Sequence, residues 1–472
     1  MRYDPGVRQP LVILAVGLLS TVAALSLAPL RIEAARQGPP SRPPNIVLIF
    51  ADDLGYGDLG VYGHPTIKTP RLDHLAAEGV KLTSFYAAAP ACTPSRAALL
   101  TGRYPIRSGM SDVLMPESTQ GLPQAEVTLP ELLKSAGYRT AMVGKWHLGS
   151  RPGFMPTEHG FDSFFGLLYS NDMVRPWVQT DVPLRLYHQA EAVAGEVDVA
   201  TLTEKYTEEA VRVIRSHEDR PLFLYLAHAM PHVPLGVSPR FAGRSAGGRY
   251  GDVIEMIDWS TGQVLDALRE AGLESNTLVI FTSDNGPWQQ MPPRMLVDPR
   301  VLQTDAGSAG PLRGSKATTW EGGMREPFIA RWPGHIPQGI VSSELATTMD
   351  LLPTMAKIVR AQPPVDRPID GRDILSVLSG SGVSPHDVFF YVNVRQLEGV
   401  RDARWKLRLR KSQPDNRAIA ELYDLSLDPS ERYDVAAGHP DIVERLYTRM
   451  RQFAGETGAA IDPLPGQHPS SD

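Results

Sequence analysis

"NIVLIFADD", residues 45–53, is a six-residue apolar run that ends abruptly in an alanine and two carboxylates. The run is short for a helix and shows no polar alternation, so it reads as a strand buried on both faces, the habit of parallel sheets. The same pattern returns three times. "TAMVG" (140–144) leads into Lys145, Trp146 and His147; "PLFLYLA" (221–227) into His228 and then His232; "TLVIFTS" (277–283) into Asp284, Asn285 and Gly286. Helical stretches lie between them. "TPRLDHLAAEG" places Thr69 at the N-cap and Pro70 at N1 and stops at Gly79, and "TLPELLKSAG" carries a Thr128 to Glu131 capping box and stops at Gly137. Across 250–272, Val253, Met256, Ile257, Val264, Leu265 and Leu268 share one face, so this helix is expected to lie on the sheet. The alternation predicts an α/β fold with a large, mostly parallel mixed sheet covered by helices on both faces.

After about residue 380 the spacing tightens to strand-like stretches at 388–394, 404–410 and 420–425, then an amphipathic helix carrying Ile442, Val443, Leu446, Tyr447 and Met450. A smaller C-terminal antiparallel sheet with one helix is expected there. The predicted division is an N-terminal α/β domain over 37–380, a C-terminal subdomain over 381–457 and a disordered tail over 458–472. In residues 1–36, Arg2 and Arg8 precede an apolar run at 11–28 and small residues near "IEAA" (32–35), which predicts a signal peptide and secretion, with an N-terminal membrane anchor as the alternative. One cysteine in 472 residues allows no internal disulfide, and no asparagine begins an Asn-x-Ser/Thr sequon. Both features suit a bacterial periplasm. A net charge of -6 with scattered basic residues excludes the electrostatic footprint of a nucleic-acid binder.

Ligands of open α/β sheets bind beyond the carboxyl ends of the strands. Parallel neighbours would gather Asp52, Asp53, Asp284, Asn285, Lys145, His147 and His228 or His232 at one edge. Each alone has an ordinary reading as a turn former, a helix cap or a hydrogen-bonded histidine. Their coincidence across four strand ends favours a site. Three carboxylates and an amide oxygen are hard donors suited to Ca²⁺ or Mg²⁺, and a hard cation beside Lys and Arg suits an oxyanion ester. In "CTPSRAALL" (92–100), Thr93 at the N-cap and Pro94 at N1 would put Cys92 at the positive end of a helix dipole. An inert thiol and a thiol nucleophile paired with histidine both remain open. "GRSAG" (243–247) fits the G-x-S-x-G pattern but follows no apolar strand, so it reads as a surface loop.

At these residues the chain resembles the sulfatases of the alkaline phosphatase superfamily, in wording nearest the arylsulfatase A and N-acetylgalactosamine-6-sulfatase type. "CTPSRAALLTGRYP" (92–105) is similar to the signature in which the cysteine is oxidised to formylglycine (3-oxoalanine), with Cys92, Pro94 and Arg96 at the positions read by the maturation enzyme. "GKWHLG", "YSND", "PHVP", "SDNG", "SKATTWEGGMREP" and "ELYDLSLDPSE" follow in the family's order. The resemblance implies a sulfuric ester hydrolase acting on an alkyl, sugar or aryl sulfate. It implies that Asp52, Asp53, Asp284, Asn285 and the modified Cys92 hold Ca²⁺, with Mg²⁺ as the alternative. It implies that one hydroxyl of hydrated formylglycine attacks sulfur, that Arg96 and Lys145 position that group, and that His147 takes the proton whose loss expels sulfate. His232 and Lys316 would contact the sulfate and the leaving oxygen, one of them protonating the alcohol, and Ser170 would bind sulfate. Two alternatives stand beside this: a phosphonate or phosphodiester hydrolase of the same superfamily, and a sulfated-glycan binding protein that is never matured. Specificity is expected in the 171–200 and 286–312 loops, which carry Trp177 and Trp288.

Overall fold

The 45–53 run forms a strand, Asn45–Ala51, inside an 11-stranded mixed sheet within residues 42–193, 195–411 and 418–464, which the computed structural model describes. It pairs in parallel with Thr277–Ser283 on one side and Leu222–Ala227 on the other. Beyond Leu222–Ala227 lie Arg139–Lys145 and Ser163–Leu167, also parallel. The four apolar runs are therefore adjacent, and their carboxyl ends share one edge. Ile46, Leu48 and Phe50 enter one core, and Val47, Ile49 and Ala51 the other. Cys92–Thr101, Leu129–Ser135 and Leu351–Val359 cover the first face; Pro70–Ala77, Leu202–Arg215 and Gly248–Glu270 cover the second. Gly144 ends the "TAMVG" run because a Cβ there would lie 1.8 Å from Ala227 O on the neighbouring strand.

Arg325–Arg331 pairs antiparallel with both Thr277–Ser283 and Val80–Tyr86. Neither added strand was expected, because "REPFIAR" and "VKLTSFY" dilute their apolar content with charged and polar residues. The Thr128 to Glu131 capping box forms as predicted. Thr69 stands at its N-cap position, but its hydroxyl donates to Asp73 and does not cap the helix. Asp258, on the long Gly248–Glu270 helix, does so instead, accepting from Arg71 N at 3.0 Å and Leu72 N at 2.8 Å. Asp258→Ala is expected to cost about 1–3 kcal/mol, read as a lower midpoint in urea unfolding at unchanged m-value. A midpoint equal to that of the wild type would show that the cap contributes nothing.

Phe389–Asn393, Gln396–Arg401, Trp405–Lys411 and Ala418–Asp424 form a separate four-stranded antiparallel sheet, with Pro440–Thr457 packed on it. Gln396–Arg401 escapes a reading by pattern because Glu398 and Gly399 break its apolar run. The two sheets share a core in which Tyr86, Tyr104 and Met324 meet Phe389, Leu407 and Phe453. The disorder expected from 458 onward does not hold for the first of those residues. Ala460 exchanges backbone hydrogen bonds with Arg395 and Leu397, both at 2.8 Å, and Ala459 is buried. The predicted leader at 1–36 and residues 465–472 lie outside the described residues. No helix among the described residues is long and apolar enough to cross a membrane.

Candidate active site

The strand ends meet as parallel pairing requires. Asp52 and Asp53 close Asn45–Ala51, and Asp284 and Asn285 close the adjacent Thr277–Ser283. Asp53 N donates to Asp284 Oδ1 at 3.0 Å, and Asn285 Nδ2 donates to Asp53 Oδ1 at 2.7 Å. From the Arg139–Lys145 strand, Lys145 Nζ donates to Asp52 Oδ2 at 2.6 Å and to Ser170 Oγ at 3.1 Å. Arg96 forks onto Asp284 Oδ2 through Nε (3.1 Å) and Nη2 (2.9 Å) and donates to Lys145 O at 3.0 Å. Lys316 Nζ lies 2.8 Å from Asp53 Oδ2 and 3.4 Å from Cys92 Sγ. Cys92 Sγ is itself 3.6 Å from Asp52 Oδ1. All these side chains are buried, and Lys316, at 9% exposure, is the most exposed of them.

Cys92 is the first residue of the Cys92–Thr101 helix, and Ala91 is its N-cap. This corrects the expected start at Thr93 and Pro94. Thr93 serves elsewhere, its hydroxyl donating to His147 O at 2.9 Å and so tying the Cys92–Thr101 helix to the loop after Lys145. Asp53, His147 and Ala317, none of them glycine, have φ of 65, 60 and 68°. Backbone strain concentrated at a site is held there by the surrounding structure.

Burial alone would raise the Asp52 pKa, yet Lys145, Arg96 and Lys316 together hold it well below the usual carboxylate range. Burial pushes Asp53 up to about 7 against the pull of Lys316, helped by Asp52 and Asp284, and it raises Asp284 as well. Desolvation also pushes the Cys92 thiol up, although Lys145 and Lys316 oppose it. A thiol held protonated is a poor nucleophile, which disfavours the cysteine–histidine alternative. Lys145, Lys316 and Arg96 remain cations, because their carboxylate neighbours outweigh the cost of burial.

His147 Nε2–H donates to Leu114 O at 3.0 Å, which fixes the tautomer and leaves Nδ1 buried without a partner among the described residues. Burial, with Lys145, holds this ring neutral. His232 Nδ1–H donates to Val233 O at 2.6 Å, and its Nε2 stands 3.6 Å from Asp53 Oδ2. Burial, with Lys316 and Lys145, holds it neutral too. His228 turns away from the site: its Nε2 lies 3.4 Å from Ser260 Oγ on the long helix. Asn171, beside Ser170, donates to His232 O and Pro234 O and so braces the histidine segment.

The donor set fits a hard cation. Among the described residues Asn285 Oδ1 is buried without a hydrogen-bond partner, and ligand atoms of Asp52, Cys92 and Asp284 lie within 4.8 Å of one another, as do those of Asp53, Cys92 and His232. Three carboxylates face three cationic side chains, so a divalent ion would leave the centre with excess positive charge, which suits an anionic substrate. Trp288 lies against the cluster, with Lys316 Nζ 4.3 Å from its ring centroid and the His232 ring 5.2 Å away. The structure brings Asp52, Asp53, Cys92, Arg96, Lys145, Ser170, His232, Asp284, Asn285 and Lys316 together and ties His147 to them through Thr93, whereas His228 faces Ser260. The Leu114 carbonyl had no signal in the sequence, because a chain separation of 33 residues hides it.

A family model described as Sulfatase matches residues 44–361, and one described as N-sulphoglucosamine sulphohydrolase, C-terminal, matches 315–455. Arylsulfatase A of Homo sapiens is 40% identical, with 90% of each chain covered. N-acetylgalactosamine-6-sulfatase of Rattus norvegicus is 44% identical over 74% of this chain and 68% of its own. The crystal structure of PsFucS1 sulfatase from Pseudoalteromonas sp. matches with a TM-score of 0.78 at 29% identity, covering 90% of this chain and 92% of that one.

Proposed function

From the premise that this chain belongs to the sulfatase family, we propose that it hydrolyses a sulfate ester at position 92 after maturation of Cys92 to formylglycine, with Ca²⁺ held by Asp52, Asp53, Asp284 and Asn285. One observation carries the reading: the sole cysteine stands among carboxylates and ammonium groups, 3.4 Å from Lys316 Nζ and 3.6 Å from Asp52 Oδ1, with its thiol pKa raised. A thiol gains nothing from that oxygen-rich setting, whereas an oxygen nucleophile does. The hydrated aldehyde supplies two hydroxyls on one carbon, one to attack sulfur and one whose loss of a proton releases sulfate. The cation supplies charge stabilisation to the oxyanion. A maturation enzyme acting on Cys92, Pro94 and Arg96 is the implied partner, and the 1–36 segment supports export to a periplasm.

The chain's own groups divide the remaining work. Lys145, Ser170 and Lys316 offer donors to sulfate oxygens. Arg96 braces Asp284 and Asp52, so the carboxylates keep their places as charge shifts. His147 Nδ1, without a partner among the described residues, is the proton acceptor. Lys316, held cationic, is the donor to the departing alcohol, because the Nδ1–H of neutral His232 is committed to Val233 O. Turnover of nitrophenyl sulfate against a nitrophenyl phosphonate monoester tests the assignment. A strong preference for the phosphonate would overturn it, and native protein with an intact thiol in the Cys92 peptide would favour a binding protein.

The half-buried Trp288, beside Lys316 and the His232 ring, is assigned to contact the leaving group. Trp288→Ala is expected to raise KM for a ring-bearing sulfate ester about tenfold, with kcat changed less. An equal rise for a small alkyl sulfate would remove its role as a platform.

A further inference from the structure

A second cluster of buried charge lies where the loop carrying Lys316 meets the small sheet. Glu321 accepts from Tyr86 OH and Tyr391 OH, both at 2.6 Å, and from Lys406 Nζ at 3.0 Å. Lys406 Nζ also donates to Thr319 O at 2.9 Å and stands 2.7 Å from Glu431 Oε1, while Glu321 N donates to Glu431 Oε2 at 2.7 Å. Glu321, Lys406 and Glu431 have no exposed surface. Arg325 Nη1 also stands 3.4 Å from Glu321 Oε2. A buried ion network is a poor source of net stability compared with apolar packing, so its use is better sought in geometry.

That geometry converges on one segment. From the small sheet and the turn after it, Ser430 Oγ donates to Pro311 O at 2.6 Å and Asn393 Nδ2 to Ala317 O at 3.3 Å, and Arg408 stacks 3.7 Å from the Trp320 ring. Arg313 covers the same ring at 3.6 Å and donates to Glu431 O at 2.9 Å. All of these contacts fall within residues 311–321, with Lys316 between them. On the side facing the catalytic centre, Lys316 N donates to Pro287 O at 3.0 Å and Ala317 N to Pro90 O at 2.8 Å. The left-handed backbone at Ala317 is thus clamped from both sides.

We propose that the small C-terminal sheet is the frame that sets the Lys316 ammonium against Cys92 and Asp53, with Lys406 as its positioning residue drawing Glu321 and Glu431 together beneath the loop. This rests on the catalytic role given to Lys316 above. A double-mutant cycle on nitrophenyl sulfate turnover tests it. Lys406→Met is expected to lower kcat about 30-fold in the wild type, since an ångström of misplacement costs that order, and less than about threefold further in a Lys316→Ala background. The same factor in both backgrounds, or an unchanged kcat in the single variant, would overturn the proposal. Asn393→Ala, which strands no charge, carries the same cycle with about a fivefold loss expected if Lys406→Met does not accumulate as folded protein. Hydrogen exchange separates this idea from the choice of reaction. Amides of 314–321 are expected to exchange about tenfold faster in either variant, with the central strands unchanged, whatever ester the enzyme cleaves. Exchange that stays unchanged in that loop removes the frame even where turnover falls.

Discussion

Cys92→Ser is expected to stop catalysis after one event. A serine hydroxyl at this position can still attack sulfur, because Asp52 holds Lys145, Lys145 in turn meets Ser170, and Asp53 holds Lys316. It has no second hydroxyl on the same carbon, so no deprotonation by His147 can expel the product. The sulfuryl group would stay on the protein, and steady-state turnover is expected to fall by about 10⁵-fold. Mass spectrometry of the tryptic peptide after incubation with substrate should show a stoichiometric sulfuryl adduct. Cys92→Ala should lose turnover to a similar extent with no adduct. A serine variant that turns over at even a tenth of the wild-type rate would sink the formylglycine reading, since an ordinary hydroxyl would then suffice.

Removal of the cation is expected to be nearly as severe. Burial pushes Asp53 up to about 7 and raises Asp284, so a bound cation would favour their ionised forms. A chelator is expected to cut activity by about 10³-fold, because Lewis-acid stabilisation of a sulfate oxyanion is worth several kcal/mol. Thermal stability should fall as well, by about 4 kcal/mol relative to protein in cation at a thousand times its dissociation constant. Added Ca²⁺ should restore the wild type, while Asp284→Ala should stay inactive at any concentration tested. Full activity and an unshifted Tm after exhaustive chelation would exclude the cation from both folding and chemistry.

The strand-end residues were legible because their positions follow from local pattern. An apolar run of six that ends in carboxylates announces both a buried strand and a polar group at its carboxyl end, and parallel pairing then brings Asp52 and Asp53 to Asp284 and Asn285. Where pattern was weak, the reading was weak. Arg325–Arg331 carries charge at both ends, and Gln396–Arg401 is broken by glycine. Thr69 looks like a cap by spacing, but a carboxylate nearly 190 residues away took that role. Lys406 sits in "RWKLRLR", where a lysine in strand alternation reads as solvent-facing until the opposing Glu321 and Glu431 are known.

By itself the sequence determined the doubly covered sheet, the edge where chemistry gathers and the cysteine at its centre, because short-range periodicity and strand-end polarity are written in consecutive residues. The tertiary structure alone decided which nitrogen of His147 is free, which histidine belongs to the site and what holds Lys316 in place. Those outcomes depend on a carbonyl at Leu114, a hydroxyl at Ser260 and a buried lysine on another sheet, groups brought within about 3 Å by folding and separated by tens of residues along the chain.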